Sequence, residues 1–119
     1  MDLVLHEHER DGVVVLTVAG ELDLATAPRL RDRLTRLATQ GPSAVVVDLS
    51  GVVLMDSVGL GVLIGGMCRV ESLGARFAVV CPPGRPRDLL VRCRLDRVLS
   101  LVDDEPAALA EVGGGHGRA

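Results

Sequence analysis

The chain contains no lysine, no tryptophan and no tyrosine, and only one phenylalanine among its 119 residues. Without lysine it cannot form a P-loop, in which a lysine reaches the nucleotide phosphates. Without aromatic rings it lacks the platforms on which single-stranded nucleic acids stack. Its formal net charge of −3 also argues against a basic binding surface. We therefore expect no nucleic-acid partner and a core built from Val, Leu and Ala.

Cysteine is scarce as well, with three residues at wide spacing and no Cys-x-x-Cys pair: Cys68, Cys81 and Cys93. Each lies in an apolar run, where a free thiol behaves as a small hydrophobe, so no disulfide or metal site is predicted.

The first residues do not resemble a signal peptide, and a cytoplasmic location is expected. Residues 49–68 are apolar but include Asp56, and the uninterrupted part is too short to cross a bilayer. No membrane insertion is predicted.

The order of apolar runs predicts an α/β fold. Two strands over residues 3–10 and 13–19 are joined by Asp11-Gly12, a strong hairpin signal. Strands and helices then alternate, which predicts a mostly parallel sheet packed with helices. The expected elements are a helix capped by Thr26, a strand at 44–49, a helix at 57–72, a strand at 76–81, a helix at 86–92, a strand at 98–102 and a short helix from Pro106.

These elements form one predicted domain over residues 1–112, followed by a disordered Gly-rich tail over residues 113–119. In parallel sheets, functional groups collect in the loops beyond the carboxyl ends of the strands. Two such loops are expected here, over residues 20–23 and 52–59.

The second of these loops carries the most informative segment, Met55-Asp56-Ser57-Val58-Gly59-Leu60-Gly61-Val62-Leu63. It presents one hydroxyl, that of Ser57, where an apolar helix begins. Ser57 could simply cap the helix. It could also accept a phosphoryl group, because a helix N-terminus has positive potential and free N–H donors. A phosphoryl group adds about −1.5 to −2 charges, enough to switch off a partner on a small apolar surface.

The glycines of this helix do not make a nucleotide site. The dinucleotide fingerprint that Gly59 and Gly61 begin would require a third glycine at position 64, where Ile64 stands. Gly61, Gly65 and Gly66 are instead expected to let the helix approach the sheet closely.

The sequence does not predict catalysis. A serine nucleophile needs a histidine, but His6 and His8 lie on the first strand and His116 lies in the tail. His6 and His8 could hold a metal weakly, or could simply face solvent on an edge strand. Glu21 and Asp23 could form a carboxylate pair for catalysis or could simply mark an exposed strand end, and the sequence shows no general acid or pocket motif beside them.

Positive charge is concentrated after the fourth strand, at Arg85, Arg87, Arg92, Arg94 and Arg97. This cluster is either a solvated helix face or a surface that meets acidic protein or lipid headgroups.

Three segments together resemble the STAS-domain anti-sigma factor antagonists: Gly20-Glu21-Leu22-Asp23, the strand Val45-Val46-Val47-Asp48-Leu49, and residues 55–63. The resemblance extends from the first hairpin to about Val112. It implies a βα sandwich that is not an enzyme. Its unmodified form would bind an anti-sigma factor that is also an ATP-using serine kinase, thereby freeing a sigma factor. The kinase would break the complex by phosphorylating the matching serine, and a serine phosphatase would reset it.

By position, the resemblance makes Ser57 the phosphoacceptor. It places the partner-binding surface at Glu21, Asp23, Asp56, Ser57, Val58, Gly59 and Leu60. Val58 stands where many members have Ser or Thr, which bears on local hydrogen bonding and partner choice. An alternative is a STAS subunit of a membrane lipid or solute transport complex, with the helix from Ser57 as a constitutive docking face. Neither function requires a cofactor or a metal.

Overall fold

The computed structural model describes residues 2–114, which form a five-stranded sheet packed between helices. In chain order the elements are β1 (Val4–Arg10), β2 (Val13–Leu22), α1 (Ala27–Thr39), β3 (Ala44–Met55), α2 (Ser57–Ser72), β4 (Arg76–Val80), α3 (Arg85–Arg92), β5 (Leu101–Val102) and α4 (Glu105–Gly114). The strands follow one another across the sheet in sequence order. The first pair is antiparallel and the others are parallel. The predicted α/β class and mostly parallel sheet are confirmed.

The hairpin between β1 and β2 turns at Asp11 and Gly12, as predicted. Both residues have positive φ, 54° and 83°, which is the backbone of the tight turn that matches the twist of paired strands. This turn sets the register that pairs Val4 with Ala19 and Arg10 with Val13.

Helices cover both faces of the sheet, so β2 and β3 are buried on both sides. On one face, α1, α2 and α3 pack on alternate strand residues, among them Leu16, Val47 and Val79. On the other face, α4 packs on the intervening residues, such as Val15 and Val46, through Ala108 and Val112. This double cover explains the nearly continuous apolar sequence of the two central strands.

Two strands are longer than predicted. We expected a loop from residue 20 and an end of the third strand at residue 49, but β2 continues to Leu22 and β3 to Met55. The extensions pair with each other, Glu21 with Leu54 and Leu22 with Met55, so their backbone groups are satisfied without a loop. Gly20 permits this path, because a Cβ there would lie 2.1 Å from the Asp2 carbonyl oxygen.

The end of the chain also differs in detail. The last strand covers only residues 101–102, because residues 96–100 form turns with Ser100 at a φ of 52°. The final helix runs to Gly114, two residues past the predicted end of the domain at 112. Residues 115–119 of the predicted tail lie outside the described residues.

The three cysteines differ in their exposure. Cys81 is buried, and burial raises the pKa of its thiol to about 11, so it behaves as the predicted small hydrophobe. Cys68 on α2 and Cys93, the C-cap residue of α3, are exposed, so the apolar runs around them do not bury their thiols as expected. Over residues 2–114, no helix is long and apolar enough to cross a membrane.

The glycines of α2 divide into two groups. A Cβ on Gly66 would lie 2.5 Å from Cδ1 of the buried Leu34, and a Cβ on Gly59 would lie 2.8 Å from Cγ of Leu22. A Cβ on Gly61 or Gly65 would meet nothing within 4 Å. The predicted packing role is wrong for Gly61 and Gly65, which face outward. Gly66 does allow a close approach, but to Leu34 of helix α1 and not to the sheet as predicted.

We therefore expect opposite effects from alanine at two of these glycines. Gly66→Ala should lower the free energy of unfolding by about 1–2 kcal/mol, because Leu34 must move in a full core. Gly61→Ala should raise it by up to about 1 kcal/mol, because alanine has the higher helix propensity and the position is open. Urea melts of both variants measure the difference. Equal midpoints would contradict the assignment of the two helix faces.

Candidate functional site

The two predicted functional segments lie side by side at the carboxyl ends of β2 and β3. The parallel register pairs Leu22 with Met55. Just beyond this pair, the Asp56 N–H donates to the Leu22 carbonyl oxygen at 3.2 Å. The β2–α1 connection and the start of α2 therefore share one surface, as the sequence predicted for these loops.

Ser57 is the first residue of α2, and Asp56 is the residue that caps this helix. Asp56 Oδ1 accepts the N–H groups of Val58 and Gly59 at 3.0 and 3.1 Å. Ser57 is exposed, and its hydroxyl has no hydrogen-bond partner among residues 2–114. The hypothesis that Ser57 caps the helix is therefore wrong. Two of the N–H donors that we expected to be free for a phosphate are already occupied.

Gly59 and Leu60, two of the predicted partner-binding residues, are buried. Leu60 is 5% exposed, and Gly59 lies against Leu22, where a side chain would not fit. Any contribution of these two residues to binding is made by holding α2 against the end of β2. Val58, between Ser57 and Gly59, is 38% exposed and can contact a partner directly.

The connection between β2 and α1 is organised by Asp23. Its Oδ1 accepts the N–H groups of Ala25 and Thr26 at 3.0 and 3.1 Å. Thr26 occupies the predicted cap position, but its hydroxyl donates to the Glu21 carbonyl oxygen at 2.7 Å and does not cap α1. Asp23 therefore fixes the loop beside Ser57 by hydrogen bonds within that loop.

Exposed apolar side chains lie on the segments that form this site, and the sequence interpretation missed two of them. Leu24 is 72% exposed on the β2–α1 loop, and Leu54 is 48% exposed near the end of β3. With Val58 they form what we call the apolar rim. Exposed apolar side chains on adjoining segments are typical of a protein-binding surface.

The cap role of Asp56 can be tested by substitution. Asp56→Ala should lower the free energy of unfolding by about 0.5–2 kcal/mol, because it leaves two N–H groups without their acceptor. Asp56→Asn should lower the free energy of unfolding much less, since the amide oxygen of asparagine can also accept these N–H groups. Thermal or urea melts check this. Ser57→Ala is the control and should leave the free energy of unfolding almost unchanged. An unchanged free energy of unfolding in Asp56→Ala would contradict the assignment of Asp56 as the cap.

A second polar cluster, which the sequence interpretation did not identify, lies on the α4 face of the sheet. Asp48, 8% exposed in the middle of β3, accepts the N–H and hydroxyl of Ser50 at 2.9 and 2.6 Å. It also accepts a hydrogen bond from the carboxyl group of Glu105 at the start of α4. The sequence signal that could have revealed this cluster is Asp48 itself, a lone carboxylate in an apolar strand.

This cluster shifts two pKa values in opposite directions. The hydrogen bond to Asp48, followed by burial and the negative charge of Asp48, raises the pKa of Glu105 to about 7. Burial alone would raise the pKa of Asp48, but the hydrogen bonds from Glu105 and Ser50 outweigh it and lower that pKa. The pair therefore holds one proton below about pH 7 and loses it above that pH. His8 Nε2 lies 3.6 Å from Glu105 Oε1.

The remaining candidates stay apart from Ser57. His8 faces Glu105, whereas His6 is exposed on the edge strand. Among the described residues, no group of three or more His, Cys, Asp or Glu side chains could hold a metal ion. Of the arginine cluster, Arg87 is bonded to Asp103 and to the Cys81 carbonyl oxygen.

Comparison with known proteins agrees with this architecture. The family model of the STAS domain matches residues 6–108. The chain belongs to the STAS domain family. This STAS domain is 34% identical over 109 residues to the anti-sigma-F factor antagonist RsfB of Mycobacterium tuberculosis, covering 90% of this chain and 87% of that protein. It is 32% identical over 108 residues to the anti-sigma F factor antagonist of Paenibacillus polymyxa, covering 89% and 91%.

A solved structure gives the same result. The crystal structure of an anti-sigma factor antagonist from Mycobacterium paratuberculosis matches the STAS domain with a TM-score of 0.87 at 30% identity. The match covers 93% of this chain and 94% of that one. The resemblance to the anti-sigma factor antagonists that residues 20–23, 45–49 and 55–63 indicated is confirmed.

Proposed function

We propose that the unphosphorylated STAS domain binds an anti-sigma factor that is also a serine kinase, and thereby frees a sigma factor in the cytoplasm. The bound kinase transfers the γ-phosphoryl group of ATP to the Ser57 hydroxyl oxygen and releases ADP. The phosphorylated domain leaves the complex, and a serine phosphatase hydrolyses the phosphoester to restore the binding form.

The observation that carries this proposal is the environment of Ser57. Its hydroxyl is exposed at the first position of α2 and forms no hydrogen bond within residues 2–114, so it can enter a kinase active site without local unfolding. The apolar rim lies beside it, so the surface that a partner would cover includes the group that the partner modifies. A charge introduced there must be desolvated whenever the partner binds.

The predicted partner-binding residues have distinct parts in this proposal. Ser57 and Val58 contact the anti-sigma factor together with the apolar rim. Asp23 and Asp56 hold the two loops in position, as do the buried Gly59 and Leu60, and Glu21 lies half-buried on the same edge. The names of the relatives favour this function over a subunit of a membrane transport complex.

Phosphorylation of the chain by purified anti-sigma factors of the serine-kinase class tests the proposal. Incubation with ATP and mapping of the phosphosite should locate the modification on Ser57, and Ser57→Ala should abolish it. Ser72→Ala is a matched control, because Ser72 ends the same helix and donates to the Arg69 carbonyl oxygen at 2.8 Å. A kinase that binds the chain tightly but leaves Ser57 unmodified would refute the switch.

A further inference from the structure

A groove lies next to the Ser57 surface, between the end of β3 and helix α3. Its volume is about 830 Å³, within the range of sites that hold a drug-sized ligand or a peptide anchor. Leu54 and Met55 form one side, immediately before Asp56 and Ser57 in the chain. Leu89 and Val91 of α3 form the other side, with Pro83 and Pro86 at one end.

The groove is apolar inside but carries net positive charge at its edge. Arg85 and Arg92 line it, are exposed, and form no ion pair within residues 2–114. Arg87 also lines it, but Asp103 neutralises this residue. Asp88 is the single acidic residue among those that line the groove within the described chain. The lining of the groove is therefore net positive, although the formal charge of the whole chain is −3.

Continuity with the apolar rim indicates the occupant. Leu54, 48% exposed, belongs both to the rim and to the groove, and Val91 on the opposite side is 47% exposed. Only Asp56 separates Met55 of the groove from Ser57 in the chain, so a partner that covers Ser57 lies beside the groove. Apolar walls and two unpaired arginines complement a segment that carries apolar anchors and acidic side chains.

We propose that the groove between β3 and α3 binds an acidic, apolar-anchored segment of the same anti-sigma factor that contacts Ser57. This inference rests on the proposed function. It also assigns a role to Arg85 and Arg92, for which the sequence left open either a solvated helix face or a surface that meets acidic groups. It predicts that part of the affinity is electrostatic and weakens as salt is raised, because exposed charges are screened.

Charge reversal of the groove arginines tests the inference. The partners are purified anti-sigma factors of the serine-kinase class, titrated against the wild type and the Arg85→Glu/Arg92→Glu variant at low and high salt. The variant should bind at least about tenfold more weakly, which corresponds to about 1.4 kcal/mol, and its affinity should depend less on salt. Arg36→Glu/Arg97→Glu is the matched control: both residues are exposed, neither lines the groove, and the change in net charge is the same.

The outcomes separate the two proposals. If Arg85→Glu/Arg92→Glu binds as tightly as the wild type while Ser57→Asp does not bind, the groove inference is wrong and the proposed function stands. If both double variants lose affinity equally, the effect is one of net charge and the groove is again excluded. If no anti-sigma factor binds the wild type, both proposals fail. If Arg85→Glu/Arg92→Glu does not fold, Arg85→Gln/Arg92→Gln replaces it and should show about half the expected loss of binding free energy.

Discussion

Phosphorylation of Ser57 should weaken binding of the anti-sigma factor by at least about a hundredfold. The phosphoryl group adds about −1.5 to −2 charges beside the carboxylate of Asp56. That carboxylate already occupies the N–H groups of Val58 and Gly59, so the first turn of α2 neutralises little of the new charge. Partner binding would bury this charge next to the apolar rim, and a cost of about 3 kcal/mol corresponds to the expected loss.

Two substitutions separate charge from the loss of the hydroxyl. Ser57→Asp should also bind more weakly, but less so than phosphoserine, because a carboxylate carries less charge. Ser57→Ala should bind like the wild type and resist the kinase. Its unfolding free energy should change by less than about 0.5 kcal/mol, because Asp56 and not Ser57 caps the helix.

Isothermal titration of the wild type, both variants and the Ser57 phosphoprotein against one anti-sigma factor provides the measurement. Val58→Ser is a useful third variant, since it introduces a hydroxyl next to Ser57. Tight binding by Ser57→Asp together with release by phosphorylation would mean only that aspartate is a poor mimic. Unchanged affinity of the phosphoprotein would refute the mechanism.

The order of elements was predictable because each is encoded locally. The Asp11-Gly12 turn requires two residues that tolerate positive φ, and the glycine and proline residues that end the helices act on their immediate neighbours. The two central strands are almost wholly apolar because both of their faces are covered. These patterns sufficed for the α/β class and for the placement of Ser57 at the start of α2.

The details that were missed depend on contacts between distant residues. Whether Gly61 or Gly66 faces the core depends on where α1 lies, and the sequence of α2 alone contains no such information. The lengths of β2 and β3 depend on the pairing of Glu21 with Leu54. The choice of Asp56 over Ser57 as the cap depends on where the strand ends, which was predicted too early. Glu105 and Asp48 lie 57 positions apart in the printed sequence, and no local pattern joins them.

This carboxyl pair should make the stability of the domain fall as the pH rises through neutrality. In the unfolded chain Glu105 returns to its ordinary pKa of 4.5, whereas in the fold its pKa is about 7. The folded state therefore binds more protons between these values, and stability decreases with increasing pH there. The contribution is complete below pH 4.5 and lost above about 7. Its size is about 1–3 kcal/mol, the lower end reflecting solvent screening of a side chain that is 30% exposed.

Urea melts between pH 5 and 9 measure this slope, and Glu105→Gln should flatten it. A glutamine amide can still donate to Asp48 and carries no charge at any pH, so the variant should be more stable than the wild type at pH 9. Glu111→Gln on the same helix is the control and should leave the slope unchanged, because Glu111 is exposed and makes no side-chain contact with Asp48. An equal slope in the wild type and Glu105→Gln would show that Asp48 and Glu105 do not share a proton.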